Sequence, residues 1–212
     1  PWWLILLAPV SIFVGIFFDT PDSVRWLRRG LEIIDSEIGV QFLDDGGNFE
    51  LSPMYHSMLL WDVLDLICLA QQSSDRQLMA RVCRWSKVAA EGVEWLRHMT
   101  HPDGKISFFN DAAFGIAPTL TDLITYAEEL GVNVGAFRPE SSDFCVTLLK
   151  QSGYCTVEWP FHSAKAIFDV GHVGPTYQPG HAHADTLSFE LSVLGQRVVV
   201  NSGTSQYGLG LE

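Results

Sequence analysis

The sequence predicts an α+β protein in which the helices come first along the chain and the β-strands follow. From residue 21 to about residue 130, apolar residues recur every three or four positions, as in amphipathic helices. After Pro139 apolar and polar residues alternate, which is typical of strands. Consecutive helices followed by consecutive strands indicate two segregated parts. The predicted domains are residues 1–138 and 139–212.

The first helix is predicted within the apolar run of residues 1–18. This run lacks the basic segment and the small-residue cleavage site of a signal peptide. Its length would allow a membrane span, but Pro9 and Gly15 interrupt it. We therefore expect a buried helix and no stable membrane span. Because the chain lacks an initiator Met and stops at Glu212 after a new loop, we also expect an incomplete piece of a longer protein.

Four further helices are predicted from apolar periodicity and from the proline and glycine residues that bound them. Pro21 opens the first of these, a Gly- and Asp-rich loop ending at Pro53 precedes the second, and Gly131 stops the last. The predicted ranges are 21–40, 54–70, about 75–99, and 119–130.

The strands are predicted in three segments after Pro139. FCVTLLKQSGYCTVEW indicates two strands around a Ser-Gly turn, AKAIFDV indicates another, and TLSFELSVLGQRVVVNSG gives the strongest strand signal. In the last segment alternate residues share a face. One face carries Leu187, Phe189, Leu191 and Val193, and the other carries Ser188, Glu190 and Ser192.

Composition limits the partners that the chain can have. The formal net charge is -12 and no basic stripe is present, which argues against a nucleic-acid partner. An acidic polysaccharide would require a local basic patch. The four cysteines form no CxxC pair. Cys145 and Cys155 could face each other across the predicted hairpin, and the sequence leaves a disulfide between them open.

The segment PGHAHADT, residues 179–186, is the most informative chemical motif. In extended backbone His181, His183 and Asp185 would project to the same side. Two imidazoles and a carboxylate at that spacing can bind a zinc-like ion, whereas the alternative is a pair of surface histidines. Asn201 follows the next strand and could lie beside them as a weaker neutral ligand, or it could belong to an ordinary turn.

Two loops carry further candidate residues. Tyr55 and His56 start the helix after the Gly-rich loop, and adjacent helical residues point about 100° apart, so both cannot face one site equally. On residue chemistry alone such a tyrosine is typical of a half-buried anchor. Glu50 could cap this helix or touch a substrate. In FFNDAAFG, Asn110 and Asp111 could line a sugar groove or form a capped turn.

Four segments, in this order along the chain, resemble the heparinase II/III-like superfamily of polysaccharide lyases, and especially bacterial members of unassigned substrate. The resemblance covers nearly the whole chain. It implies a partial (α/α) toroid followed by the beginning of an antiparallel β-sandwich domain, with the active cleft between them. The matching segments are RWLRRGLEIIDSEI, DGGNFELSPMYHSMLLWDVLDL, HPDGKISFFNDAAFGIAP and PGHAHADTLSFELSVLGQRVVVNSGTSQYG.

The resemblance also implies roles for individual residues. Tyr55 matches a catalytic acid that in some members is also the base, and His181 matches a catalytic residue near the uronate. His183 matches a ligand of a divalent metal, zinc or calcium, and the family's metal-binding Asp falls at Asn201. The family's Asn-His pair, which helps to neutralise the substrate carboxylate, falls at Trp2–Trp3, which cannot do that work. The residues predicted to contact substrate are Glu50, His56, Asn110 and Asp111.

These roles suit β-elimination from a uronic acid. The C5 proton is weakly acidic until the neighbouring carboxylate is neutralised, and a base and an acid must lie within hydrogen-bond reach. A tyrosine acts as a base only beside positive charge, which a metal at His183 or a charged His181 would supply. The predicted function is cleavage of a uronate-containing glycan such as heparan, hyaluronan or alginate, impaired in this piece by the missing Asn-His pair and by a His ligand expected beyond Glu212.

Three alternatives remain open on the sequence. A metal-dependent hydrolase would need another cluster of ligands, which the sequence does not offer. A cupin-like module would need a Glu three or four residues after the histidines, whereas Glu190 follows His183 by seven. A non-catalytic glycan-binding homologue is favoured by Trp2–Trp3 and Asn201. The resemblance implies a periplasmic or secreted protein, with a cytoplasmic location as the alternative.

Overall fold

The structure, a computed structural model, describes residues 3–135, 143–172 and 185–203. Within these residues all the α-helices precede all the β-strands, so the predicted α+β order is confirmed. The helices are α1 (Trp3–Phe17), α2 (Pro21–Gln41), α3 (Pro53–Ser73), α4 (Arg76–Met79), α5 (Val82–His98) and α6 (Leu120–Glu129). The strands are β1 (Cys145–Leu149), β2 (Tyr154–Trp159), β3 (Ala164–Asp169), β4 (Phe189–Val193) and β5 (Gln196–Val199).

The apolar run at the start of the chain forms α1, which packs against α2 through glycines. A Cβ atom on Gly15 would lie 2.6 Å from the Cβ of Leu27, so the two helices approach more closely than larger residues would allow. Ile12 on this face is fully buried, whereas Val10 on the other face is 57% exposed. Helix α1, which was predicted to be buried, is therefore buried on one face and exposed on the other. Among the described helices, none is both long and apolar enough to cross a membrane.

The predicted helices at 21–40, 54–70 and 119–130 are confirmed as α2, α3 and α6. The single helix predicted at about 75–99 is instead two helices, α4 and α5, separated by Ala80 and Arg81. The Arg81 guanidinium turns to α2, where its Nη2 lies 2.6 Å from Oδ2 of Asp35. Alanine and arginine are good helix formers, so residue type gave no signal of this break.

The five strands form one antiparallel sheet in the order β1-β2-β3-β4-β5. The predicted hairpin around the Ser-Gly turn is confirmed as β1 and β2. Cys145 pairs with Glu158, whereas Cys155 pairs with Leu148. Paired residues of neighbouring strands lie on the same face, so Cys145 shares a face with Glu158. Cys155 lies three positions from Glu158 on the same strand and therefore on the opposite face, so the two cysteines point away from each other. Both thiols are free, and no disulfide joins them.

The alternation predicted for β4 is present, but its polar face is the buried one. Glu190 and Ser192 are fully buried, whereas Phe189 is 42% and Leu187 is 81% exposed. The polar face is turned toward the helical part of the chain, where His101 and Phe108 contact Glu190. The fully or nearly fully buried residues of the other strands on this face include Leu149, Tyr154, Thr156 and Ile167.

The Glu190 carboxylate ties the sheet to the helical part. Its Oε2 accepts from Nε2 of His101 at 2.9 Å and lies 3.2 Å from Nη1 of Arg197. Its Oε1 accepts from the backbone N–H of Phe108 at 2.9 Å. The other ring nitrogen of His101 lies 2.8 Å from Oγ of Ser192. A carboxylate buried in this way is tolerated because hydrogen bonds and positive charge replace its lost hydration.

A second tie fixes the β1–β2 turn on the Gly-rich loop. Oδ2 of Asp45 accepts from the backbone N–H groups of Gln151 and Ser152, at 2.9 and 2.8 Å. The Ser152 hydroxyl also donates to Asp45 and accepts from Nε1 of Trp95 at 2.9 Å. The loop that precedes α3 is therefore held between the sheet and α5.

We expect Gly153→Ala to destabilise the fold more than the same substitution at a glycine whose only constraint is a positive φ. Gly153 has φ +76°, and an added Cβ would lie 2.3 Å from Cα of Gly171, which is backbone that cannot rotate away. Positive φ alone costs a residue with a side chain about 1–2 kcal/mol. The backbone clash should add about 1–3 kcal/mol, measured as the free energy of unfolding in urea.

Gly195→Ala is the matched control, because Gly195 also lies in a hairpin turn with φ +75° but has nothing within 4 Å of the added Cβ. It should show the cost of positive φ alone. Equal losses of stability in the two variants would contradict the close contact between Gly153 and Gly171.

Candidate active site

Tyr55 lies in the first turn of α3, directly after the Gly-rich loop. Ser52 is the N-cap residue and Pro53 occupies the first helical position, where proline fits because no intrahelical partner for its N–H is needed. Leu51 has φ +64°, a left-handed conformation that turns the loop into the helix. The Tyr55 side chain is half-buried. In a helix the Cα–Cβ bond tilts toward the N-terminus, so the Tyr55 side chain starts in the direction of this loop.

Asn110, which Asp111 follows, contacts that same loop through its side chain. Both have left-handed backbone, with φ +51° and +55°, which asparagine and aspartate adopt more readily than other residues with side chains. The side-chain amide of Asn110 donates to the hydroxyl of Tyr154 at 2.9 Å and to the carbonyl of Leu51 at 3.3 Å. The segments predicted to carry Tyr55 and the sugar-groove residues therefore meet.

Asp185 brings the third predicted segment to this place. It is 4% exposed, and its Oδ2 accepts from the backbone N–H of Asn110 at 2.9 Å and from Nδ2 of Asn201 at 3.3 Å. The structure thus joins, through Asp185, the end of the PGHAHADT motif to the loop after β5. His181 and His183 lie outside the described residues, so the predicted convergence of Tyr55 and His181 stays a prediction.

The described residues do not by themselves fit the predicted metal. Both polar atoms of the Asn201 side chain serve the fold, since Nδ2 donates to Asp185 and Oδ1 accepts from the N–H of Gly203 at 3.1 Å. Asn201 is also neutral, and within the described ranges no group of three His, Cys, Asp or Glu side chains could hold a metal ion. The metal prediction therefore depends on His183.

The structure corrects the prediction that His56 contacts substrate. His56 is fully buried, its Nδ1 accepts from the N–H of Asn48 at 3.1 Å, and its Nε2 donates to the carbonyl of Gly92 at 2.9 Å. Burial lowers the pKa of His56 to about 4, although the hydrogen bond to Gly92 and the charge of Asp45 oppose the shift. The ring is therefore neutral and links α3 to α5.

The other predicted substrate contacts are also largely enclosed. Glu50 is 8% exposed, and its N–H donates to Oδ1 of Asn48 at 3.0 Å. Asn110 is 3% and Asp111 4% exposed. The amide nitrogen of Asn110 bonds Tyr154 and Leu51. For Glu50, Asn110 and Asp111 substrate contact stays a prediction.

The described part of the site is acidic. Asp185 lies close enough to Asp169 that the two carboxylates interact, and burial followed by this repulsion raises the pKa of Asp169 to about 6, against a hydrogen bond from Gly171. An anionic substrate at this place would therefore need compensating positive charge.

Sequence reasoning did not identify Tyr154 or the structural role of Asp185. Tyr154 lies on a strand where alternation predicts a core residue, and no motif marks its hydroxyl. That hydroxyl donates to the carbonyl of Leu51 at 2.9 Å, across 103 positions of the chain. A contact over such a separation leaves no local pattern.

Comparison with known proteins gives two family matches. The profile described as "Heparinase II/III N-terminus" matches residues 2–128, and the profile described as "Heparinase II/III-like, C-terminal" matches residues 142–209. A heparin-sulfate lyase of Pedobacter heparinus is 24% identical over 213 aligned positions, covering 94% of this chain and 31% of that protein. A heparin-sulfate lyase of Bacteroides stercoris is 34% identical over 73 residues, which are 34% of this chain and 10% of that protein.

Solved structures agree in fold. The crystal structure of a heparinase III superposes with a TM-score of 0.75 at 20% identity, covering 96% of this chain and 35% of that one. The crystal structure of the heparan sulfate lyase from Pedobacter heparinus gives a TM-score of 0.69 at 20% identity, covering 95% and 32%. The Pedobacter heparinus relative aligns with nearly the whole of this chain, and the chain spans about a third of that protein's length.

We expect the burial of His56 to make stability depend on pH. The pKa is about 4 in the folded state against an ordinary 6.5, so the unfolded chain binds a proton more readily between these values. Stability from neutral His56 is complete above pH 6.5 and is lost as the pH falls toward 4, by about 3 kcal/mol. The measurement is the free energy of unfolding in urea from pH 7.5 to pH 4.

Other buried groups also titrate in this range. The contribution of His56 is therefore taken as the difference in free energy of unfolding between the wild type and His56→Gln. Glutamine keeps an amide donor for the carbonyl of Gly92. The difference should be smaller at pH 4 than at pH 7.5. His172→Gln, at an exposed position, should follow the wild type. A pH-independent difference for His56→Gln would show that the ring is not held neutral.

Proposed function

Since this chain belongs to the heparinase II/III-like family, we propose that it forms part of a glycosaminoglycan lyase that cleaves a uronic-acid-containing chain by β-elimination. Heparan sulfate is the proposed substrate class, because the relatives are heparin-sulfate lyases. The observation that carries the proposal is the meeting of three family segments at one junction of helices and sheet. These segments contribute Tyr55, Asn110 and Asp185.

In the proposed reaction a base removes the C5 proton of the uronate. The C5–H electron pair forms the C4–C5 double bond, the C4–O4 bond breaks, and the leaving oxygen takes a proton. Tyr55 supplies that proton and His181 acts beside the uronate. Tyr55 lies at the N-terminal end of α3, where the helix dipole is positive, and this favours the negative charge that develops on the phenol oxygen as it gives up its proton.

Compensation of the substrate carboxylate is the remaining requirement. Asp169 and Asp185 place buried carboxylates in the described part of the site, so the uronate requires positive partners in the cleft. A divalent cation at His183, zinc or calcium, remains a prediction of the resemblance, and no step of the reaction is assigned to it. Metal analysis of the purified protein tests it. Export to the periplasm or beyond the cell likewise remains a prediction.

We expect Tyr55→Phe to abolish most of the lyase activity, because the phenol is the acid in the proposed step. Loss of a general acid lowers the rate about 10²–10⁴-fold. The assay follows the ultraviolet absorbance of the unsaturated uronate with heparan sulfate, hyaluronan and alginate. It uses the complete protein encoded by the reading frame that contains these residues.

Tyr126→Phe is the matched control, because the hydroxyl of Tyr126 donates to Oδ1 of Asp65 between α6 and α3, at 2.8 Å. It should keep its activity. A complete protein that binds these glycans without forming the unsaturated product would point to the glycan-binding alternative. Full activity in Tyr55→Phe would remove Tyr55 from the chemistry while leaving the lyase assignment intact.

A further inference from the structure

Tyr154 is a buried tyrosine of the sheet whose hydroxyl contacts two segments of the candidate site. It begins β2 and is fully buried, with its ring 5.3 Å from the ring of Phe109 and 6.0 Å from that of Trp95. Its hydroxyl donates to the carbonyl of Leu51 and accepts from the side-chain amide of Asn110, each at 2.9 Å. One oxygen atom therefore joins the loop before α3 to the loop after α5.

The hydrogen-bonded path continues from Asn110 to the sheet. The backbone N–H of Asn110 donates to Oδ2 of Asp185 at 2.9 Å, and Nδ2 of Asn201 donates to the same oxygen at 3.3 Å. Tyr154 thus lies on a continuous path that reaches every segment with predicted catalytic or metal-binding residues.

The backbone at both partners of Tyr154 adopts a disfavoured conformation. Leu51 has φ +64°, and Asn110 and Asp111 have φ +51° and +55°. Such conformations persist only where the surroundings impose them. The Tyr154 hydroxyl holds the carbonyl of Leu51 and the side chain of Asn110, so it supports both unusual turns with a single group.

We infer that Tyr154 is a positioning residue of the active site. Through Leu51, four positions before Tyr55, its hydroxyl fixes where α3 starts and hence where the Tyr55 phenol lies. Through Asn110 it fixes that phenol relative to Asp185. This inference rests on the proposed function, and it gives Tyr154 no contact with substrate.

The electrostatic surroundings keep the hydroxyl in the form that this role needs. Burial, followed by the charges of Asp169 and Asp185, raises the pKa of Tyr154 well above its ordinary value. The hydroxyl therefore stays protonated and can donate to Leu51 while it accepts from Asn110. A group held in this state is unsuited to act as a base.

Tyr154→Phe removes the hydroxyl and keeps the ring that packs on Trp95 and Phe109. We expect kcat in the complete protein to fall about 10- to 100-fold, because small misplacements of catalytic groups cost about that much. KM should change less than about threefold, since the hydroxyl does not touch substrate. Tyr126→Phe should leave both constants unchanged. An unchanged kcat, or a loss explained entirely by a smaller folded fraction, overturns the inference.

Peptide-resolved amide hydrogen exchange tests the same inference without activity. Tyr154→Phe should exchange faster in peptides covering residues 50–56 and 109–112, with no change in α6. If the wild type shows no lyase activity, the proposed function fails and exchange alone decides the positioning role. Unchanged exchange in both segments overturns it.

Asn110→Gly offers a second route if Tyr154→Phe folds poorly. Glycine tolerates φ +51°, so the change removes the amide while it relieves the turn. Because Tyr154 and Asn110 bond each other and the carbonyl of Leu51, Asn110→Gly alone should also lower kcat in the complete protein. An unchanged kcat in a folded Asn110→Gly variant would overturn the inference.

Discussion

The buried carboxylate of Glu190 is the interaction on which the placement of the sheet depends. It is fully enclosed and accepts hydrogen bonds from four donors, two of which are backbone N–H groups. Leaving such a charge without partners would cost several kcal/mol, so the sheet must dock where the two donors of the helical part, His101 and Phe108, can reach it. All four donors come from His101, Phe108, Arg197 and Asn201.

The same docking assembles the candidate site. Phe108 lies two positions before Asn110, and the N–H of Asn201 donates to Glu190 while its side chain reaches Asp185. Once the sheet is seated on Glu190, the loops that carry Asn110, Asp185 and Asn201 have little freedom left. Asn110, Asp185 and Asn201 hold one another through hydrogen bonds.

The sequence predicted best where local signals decide the structure. Prolines and apolar spacing located α2, α3 and α6, because those signals act within one turn. The break between α4 and α5 escaped detection because Ala80 and Arg81 are helix formers, and the tertiary contact of Arg81 with Asp35 is not local. In β4 alternation was correct, but it cannot tell which face meets the core. Tyr55 was predicted through its family segment, whereas the Tyr154 hydroxyl bonds a carbonyl 103 positions away.

The inverted faces of β4 carry a lesson for protein engineering. A designer who reads hydrophobicity alone would keep Leu187 and Phe189 and would exchange Glu190 or Ser192 freely. In this chain the latter two are fully buried, where a new charge without a partner would be costly. Along β4, the polar residues should therefore tolerate substitution less well than the apolar ones. A variant library that assumes polar residues are exposed would lose most of its folded members at Glu190 and Ser192.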